Sequence, residues 1–264
     1  MSFITAVAQY APNDNKEENL NSIEALVREA HKKGARLIVL PEYAIYTVST
    51  MDDRFVENAE LLGGPSVTKI ASLSLELNVA IVFGINEKAS EDRIHNTLIG
   101  IEKGEVSALY RKVHLYDAFG YRESDKVIAA EPNNGSLLSV EGMNIGMQTC
   151  YDLRFPEVTR ALVDSGADII ALPAEWIPGP LKEYHWNTLI RARAIENTVF
   201  ILAADQSAPN GVGNSAIIDP MGITLASVGE NSGVALAELS NERLGNVRKI
   251  NPALTLRRYK VVGK

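Results

Sequence analysis

One short pattern occurs twice in this chain, and it constrains the fold more than any other feature. Gly34-Ala35-Arg36-Leu37-Ile38-Val39-Leu40-Pro41 returns half a chain later as Gly166-Ala167-Asp168-Ile169-Ile170-Ala171-Leu172-Pro173. Each copy reads as a glycine closing a helix, a buried strand, and a proline ending it. Before the first copy, residues 3–10 read as a buried strand and Pro12-Asn13-Asp14 as a turn with helix N-cap candidates. Residues 16–33 then carry Leu20, Ile23, Val27 and Ala30 at helical spacing, and His31-Lys32-Lys33 give a cationic last turn. Before the second copy, residues 156–165 read as a helix. A further helix and an apolar strand follow each copy, with the strands at residues 78–84 and 197–203.

Two buried βα units can resemble each other by composition alone, but the aligned Gly-Ala and Leu-Pro pairs favour duplication. A duplicated α/β chain with pseudo-twofold symmetry can stack two open sheets face to face, with helices on the outer faces. No Pro/Ser linker or low-complexity run divides the chain, so residues 1–264 are expected to form a single domain.

Composition narrows the partners. With 46% hydrophobic residues the chain can fill a large core, and its net charge of −7 comes without a dense Lys/Arg stripe. Nucleic-acid and anionic-membrane partners are therefore not expected, and a small-molecule substrate is. Cys150 is the only cysteine, which excludes an intrachain disulfide and a Cys-rich zinc site and points to a reducing, cytoplasmic compartment. No apolar stretch approaches the ~18 residues of a membrane span, and the first ten residues do not read as a targeting leader. The basic tail (Arg257, Arg258, Lys260, Lys264) is a candidate to reach a neighbouring subunit.

Three positions could carry chemistry. Cys150 ends the stretch from Met143 to Thr149, in phase with Asn144, Gly146 and Gln148, and precedes a helix with Pro156 and Glu157 in its first turn. It is either an inert packed thiol or a nucleophile on a strand-to-helix elbow. A nucleophilic thiol needs a base and a cation. Glu42 follows Leu40-Pro41 at the carboxyl end of a predicted parallel strand, where open α/β sheets place ligands, although a solvated strand-end charge is the plainer alternative. Lys112 shares the phase of Val106, Ala108 and Tyr110, so it either points inward to a charged partner or snorkels to solvent.

These residues lie in motifs that resemble the nitrilase, or carbon–nitrogen hydrolase, superfamily. Leu40-Pro41-Glu42 is similar to its glutamate motif. Tyr110-Arg111-Lys112-Val113-His114-Leu115-Tyr116-Asp117 is similar to its lysine motif, and Cys150-Tyr151-Asp152-Leu153-Arg154-Phe155-Pro156-Glu157 to its cysteine motif. His185-Trp186, Arg191-Ala192-Arg193-Ala194-Ile195-Glu196-Asn197 and the segments from Gly213 to Gly222 add family-like stretches. The resemblance implies an α/β fold, a four-layer α-β-β-α sandwich, assembled as a homodimer or higher homo-oligomer. It implies Glu42 as general base, Cys150 as nucleophile and Lys112 as the cation for the oxyanion, with the Tyr151 backbone N–H as second donor. Glu123 matches a second glutamate that orients the lysine and substrate; without the resemblance it reads as a loop charge. No metal or organic cofactor is implied.

The segment Tyr151-Asp152-Leu153-Arg154-Phe155 resembles the amidase branch containing ω-amidases and deaminated-glutathione amidases, whose substrates are small carboxylate-bearing amides. Arg154 could clamp the far carboxylate, although pairing with Asp152 inside the elbow is the expected state. Ala118-Phe119-Gly120-Tyr121 and Ala174-Glu175-Trp176-Ile177-Pro178-Gly179-Pro180 depart from that branch, and Trp176 either closes the pocket or packs structurally. Three alternatives stay open: an N-carbamoyl-amine hydrolase with the same triad, a Cys–His hydrolase using His114 or His185, and a catalytically silent binding protein of this fold.

Overall fold

The computed structural model describes residues 1–132 and 135–263, which leaves Lys264 of the basic tail outside the described residues. The first repeat unit contains β1 (Ser2–Gln9), α1 (Lys16–Lys32), β2 (Ala35–Val39), a short α2 (Asp53–Glu57), α3 (Pro65–Leu77) and β3 (Ala80–Lys88). β4 (Ile94–Glu102) and β5 (Glu105–Arg111) return antiparallel, and a two-residue-per-strand hairpin follows, β6 (Asp117–Ala118) with β7 (Tyr121–Arg122). The second unit contains β8 (Leu138–Val140), β9 (Met143–Met147), α4 (Pro156–Asp164), β10 (Ile169–Ala174), α5 (Lys182–Asn197) and β11 (Phe200–Asp205). β12 (Ala216–Ile218), β13 (Thr224–Ser227), β14 (Gly233–Ser240) and α6 (Asn241–Ile250) complete the main elements.

Local chemistry sets the helix ends. The N-cap of α1 is Asn15, whose Oδ1 accepts from the backbone N–H groups of Glu17 and Glu18 at 3.1 and 3.3 Å. Asn13, in the turn expected to cap the helix, instead accepts from the Asn15 backbone N–H at 2.7 Å. Gly34 and Gly166 end α1 and α4 with φ of +93° and +104°, values that an L side chain rarely adopts.

The duplication is visible in the topology. One sheet runs β14-β1-β2-β3-β4-β5 and the other, taken from its far edge, β8-β9-β10-β11-β12-β13. In both, an antiparallel edge strand is followed by three parallel strands and then two antiparallel ones.

The inner faces of the two sheets meet through Phe3, Val7, Leu37, Val82 and Leu98 on one side and Met143, Ile145, Met147, Phe200 and Leu202 on the other. Helices α1 and α3 cover the outer face of the first sheet, burying Ile23, Val27 and Ile70; α4 and α5 cover the second, burying Val163, Trp186 and Ile190. The result is a four-layer α-β-β-α sandwich. Each fully buried Ile, Leu or Phe contributes ~1.5–3 kcal/mol, whereas a buried ion pair adds little net stability. The apolar layers therefore hold the polar residues at the ends of the sheets. The tail past α6 lies along its own α4, where Arg257 pairs with Asp164 and Val261 and Val262 roof an apolar cavity of about 570 Å³. Among the described residues no helix is long and apolar enough to cross a membrane.

Candidate active site

Glu42 sits where the chain leaves β2. The departing segment is held to β3, with Leu40 N donating to Val82 O at 2.8 Å, Gly84 N to Pro41 O at 3.1 Å and Ala44 N to Gly84 O at 2.9 Å. Its side chain is only 1% exposed. One carboxylate oxygen accepts from Asn96 Nδ2 at 2.6 Å and Lys112 Nζ at 2.9 Å, and the other from Glu175 N at 2.7 Å. Gln206 fixes the backbone by donating from Nε2 to Glu42 O at 2.8 Å.

Lys112 follows β5 and points inward, 2% exposed, which selects the inward of the two states left open by its strand phase. Its ammonium lies 2.9 Å from Glu42 Oε1 and 2.8 Å from Glu123 Oε2. Glu123, buried in the turn after β7, also accepts from Tyr43 Oη at 2.8 Å and from Tyr116 N at 2.7 Å. Burial opposes the charged form of each group, but the field between the partners outweighs it. The ammonium is held above the ordinary lysine range and the Glu123 carboxyl below the ordinary glutamate range.

Cys150 opens a short 3₁₀ turn (Cys150–Arg154) between β9 and α4, with φ +47°. That left-handed conformation is strained for a residue with a side chain, and it marks the elbow anticipated from sequence. The elbow is locked by a reciprocal cap: Asp152 N donates to Thr149 O at 3.0 Å and Thr149 N to Asp152 Oδ2 at 3.2 Å. The thiol contacts Glu175 O at 3.4 Å. Burial, then the nearby Glu42 carboxylate, push its pKa up, with Lys112 acting in the opposite direction. The resting sulfur is therefore a thiol, and attack requires a base at the moment of reaction.

The four predicted catalytic positions, Glu42, Lys112, Glu123 and Cys150, thus converge electrostatically on one site at the strand ends. Cys150, Tyr151 and Trp176 line a cavity of about 10 Å³ together with Tyr116 and Lys182. Trp176 both walls this cavity and packs structurally, with its backbone N–H donating to Asp205 Oδ1 at 2.7 Å and its indole Nε1 to Lys182 O at 2.8 Å. The larger cavity beneath residues 261–263 has none of Glu42, Lys112, Glu123 and Cys150 in its wall.

The expected Arg154–Asp152 pair does not form. Asp152 is already occupied by Thr149 N, by Tyr110 Oη at 2.7 Å and by His114 N and Nδ1 at 3.0 and 2.9 Å. Arg154 turns away and lays its guanidinium over Trp176, 4.9 Å from the ring centre. His114 also stacks on Phe155 at 3.7 Å, and His185 Nδ1 faces Arg154 Nη2 at 3.4 Å, so both imidazoles are engaged away from the sulfur.

Sequence reasoning missed Tyr43, Asn96 and Lys182, and it noted Glu175 only as part of a divergent loop. Asn96 carried a signal, being a polar residue in phase with Ile94 and Leu98 on β4. Glu175 follows β10 with its carboxyl pushed up to about 8 by burial and then by Glu42, and Thr47 Oγ1 donates to it at 3.2 Å.

A buried thiol, two carboxylates and a lysine are thus gathered at the ends of stacked α/β sheets. The chain belongs to the carbon–nitrogen hydrolase family, which matches residues 4–249, and it is an amidase-type member of the nitrilase superfamily. It is 38% identical over 256 residues to a deaminated glutathione amidase of Escherichia coli O157:H7, covering 97% of both chains. It is 32% identical over 266 residues to a deaminated glutathione amidase of Synechocystis, covering 96% of this chain and 97% of the relative. The solved structure of Saccharomyces cerevisiae Nit3, a member of branch 10 of the nitrilase superfamily, superposes with a TM-score of 0.86 at 26% identity, covering 98% of this chain and 97% of that one.

Proposed function

We propose that this chain hydrolyses the C–N bond of a small carboxylate-bearing linear amide through a thioester on Cys150, releasing ammonia. The observation that carries the reading is the Lys112 ammonium fixed between Glu42 and Glu123 beside a buried thiol whose proton must be removed.

Glu42 takes the thiol proton as the sulfur attacks the amide carbonyl. The carbonyl oxygen gains the negative charge, and Lys112 Nζ with the Tyr151 backbone N–H receives it, each donor contributing ~3 kcal/mol to the transition state. Protonated Glu42 passes its proton to the nitrogen, the C–N bond breaks and ammonia leaves. Water then gives a proton to Glu42 and attacks the thioester, freeing the acid and returning the thiol. Glu123 positions Lys112 rather than reacting. The cavity at Cys150 holds only about 10 Å³, so substrate entry requires its walls to part.

An exposed apolar patch on the outer helix layer supports a homodimer or higher homo-oligomer. Ile195 on α5 and the Met221–Ile223 turn are exposed, and they are neighbours, since a side chain on Gly222 would meet Ile195. A reducing cytoplasm suits a chain whose only cysteine must remain a free thiol.

The test is ammonia release from a panel of α-keto acid ω-amides, simple amides, nitriles and N-carbamoyl amines. The reading predicts preference for the carboxylate-bearing amides. Preference for carbamoyl compounds, with carbon dioxide released alongside ammonia, would replace it with a carbamoyl-amine hydrolase.

A further inference from the structure

Asn96 stands on β4 with its side chain fully buried among the carboxylates of the site. Its Nδ2 donates to Glu42 Oε1 at 2.6 Å and to Glu123 Oε1 at 2.9 Å, so one amide bridges the two carboxylates. Lys112 N donates to Asn96 O at 2.9 Å, which fixes the amide relative to the ammonium. The Asn96 Oδ1 is buried with no hydrogen-bond partner. An unpaired buried acceptor costs ~1–3 kcal/mol, which an apolar residue at this position would avoid. The amide is thus unfavourable on its oxygen side, and its nitrogen is spent on two groups of the site.

The donors divide the carboxylate oxygens unequally. Glu42 Oε1 accepts from Asn96 Nδ2 and, at 2.9 Å, from Lys112 Nζ. Glu123 Oε1 accepts from Asn96, from Tyr43 Oη at 2.8 Å and from Lys112 Nζ at 3.1 Å. Glu123 Oε2 accepts from Tyr116 N at 2.7 Å and lies 2.8 Å from Lys112 Nζ. Oxygens that already accept two or more hydrogen bonds have no lone pair left for a proton. Glu42 Oε2 has one N–H donor among the described residues, Glu175 N at 2.7 Å. The carbonyl oxygen of Glu175 meets the Cys150 sulfur at 3.4 Å, so this open oxygen and the sulfur lie against the same residue's backbone.

We propose that Asn96 is a positioning residue that, together with Lys112, closes Glu42 Oε1 to protons and so directs the thiol proton to Oε2. This rests on the thioester reading above and adds which oxygen carries the proton. As sulfur bonds to the carbonyl carbon, the S–H bond breaks and its proton goes to Oε2. It passes to the leaving nitrogen as the C–N bond breaks. Without the amide, a lone pair opens on Oε1 of both Glu42 and Glu123. Two carboxylates in one buried site take up a proton readily, and Glu42 holding that proton can accept no other.

The experiment follows the rate of Cys150 alkylation by iodoacetamide, which reads a single site because the chain has one cysteine. Asn96→Ala should slow alkylation by about tenfold or more relative to wild type at pH 6, and the deficit should shrink to within about threefold at pH 9, where the extra proton is lost. A merely structural defect would slow the reaction equally at both values. Glu175, Asp205, Tyr43 and Tyr121 also lie near Glu42, but they are present in both proteins and cancel in the comparison. Asn96→Ser, which keeps one donor, should show a smaller deficit at pH 6 and carries the test if Asn96→Ala lacks a cooperative melt. Equal deficits at the two pH values in the folded variant, or none, would overturn the proposal.

Glu42→Gln separates this inference from the catalytic reading. It should slow alkylation at pH 6 and leave Asn96→Ala with no further pH-dependent effect in the double variant. Slowing by Glu42→Gln but not by Asn96→Ala would remove the role of Asn96 and leave Glu42 as the base. Unchanged alkylation in Glu42→Gln would remove both.

Discussion

Gly84 on β3 lies directly against Glu42: a Cβ built on Gly84 would come within 2.8 Å of the Glu42 Cα and of the Tyr43 backbone nitrogen. The proposed general base is thus held by backbone contact with a neighbouring strand that has no side chain at that point. The Gly84→Ala substitution must push the Glu42 segment away while leaving the sandwich layers intact. Displacement of a reacting group by ~1 Å costs about 100-fold in rate. A kcat loss of that order with a cooperative melt and normal far-UV spectrum is expected, and kcat within twofold of wild type would show that Glu42 tolerates the shift.

Lys112→Gln tests the buried charge cluster. Without the ammonium, Glu42 and Glu123 share one buried site with no cation, and one of them must take up a proton. Removing one partner of a buried pair costs ~3–5 kcal/mol of stability, and losing one oxyanion donor costs ~10²–10³ in kcat. Denaturant melts and steady-state turnover measure both. An unchanged unfolding midpoint would mean that the carboxylates do not depend on Lys112.

Glu175 gives the site a pH limit. Its carboxyl is pushed up to about 8, so it is mostly neutral at pH 7 and ionises as the pH rises through that value. The new charge lies beside Glu42 and opposes negative charge on the reacting oxygen, so kcat/KM should fall on the alkaline side with an apparent pKa near 8. Glu175→Gln should move that limb upward. The same raised pKa contributes stability that is fully present below about 4.5 and lost as the pH rises through about 8. The variant should therefore gain stability relative to wild type across that window.

His114→Ala separates an imidazole base from a carboxylate base. His114 holds Asp152 and stacks on Phe155, so its loss should reduce kcat by less than about tenfold, whereas Glu42→Gln should reduce it by ~10²–10⁴. The opposite ranking would assign the proton to the imidazole.

Legibility in the sequence followed the range of the interaction. The repeat at Gly34 and Gly166 exposed the two-sheet plan because a helix cap and a buried strand are local features. Strand phase put Lys112 on the face of its apolar neighbours but left open whether it turned inward or snorkelled to solvent, because its partners Glu42 and Glu123 are distant in sequence. Antiparallel β4 and β12 gave no such signal, since central strands buried on both faces carry no clear alternation. Arg154 was assigned to its sequence neighbour Asp152, but Asp152 is claimed by Tyr110 and His114, residues about forty positions away. Lys182 sits on the first turn of α5 like an ordinary surface lysine, and only the packing of Tyr116, Phe119 and Trp176 around it reveals that it is buried.

Trapping the acyl-enzyme tests the central claim most directly. Stoichiometric enzyme and its best amide are quenched in acid during the first turnover, and the protein is weighed intact and after digestion. The account predicts a mass increase equal to the acyl group, localised to the peptide containing Cys150 and absent from Cys150→Ala, with about one ammonia released per adduct. Full first-turnover release of ammonia with no acyl group on Cys150 at any quench time, or with turnover surviving in Cys150→Ala, would contradict it.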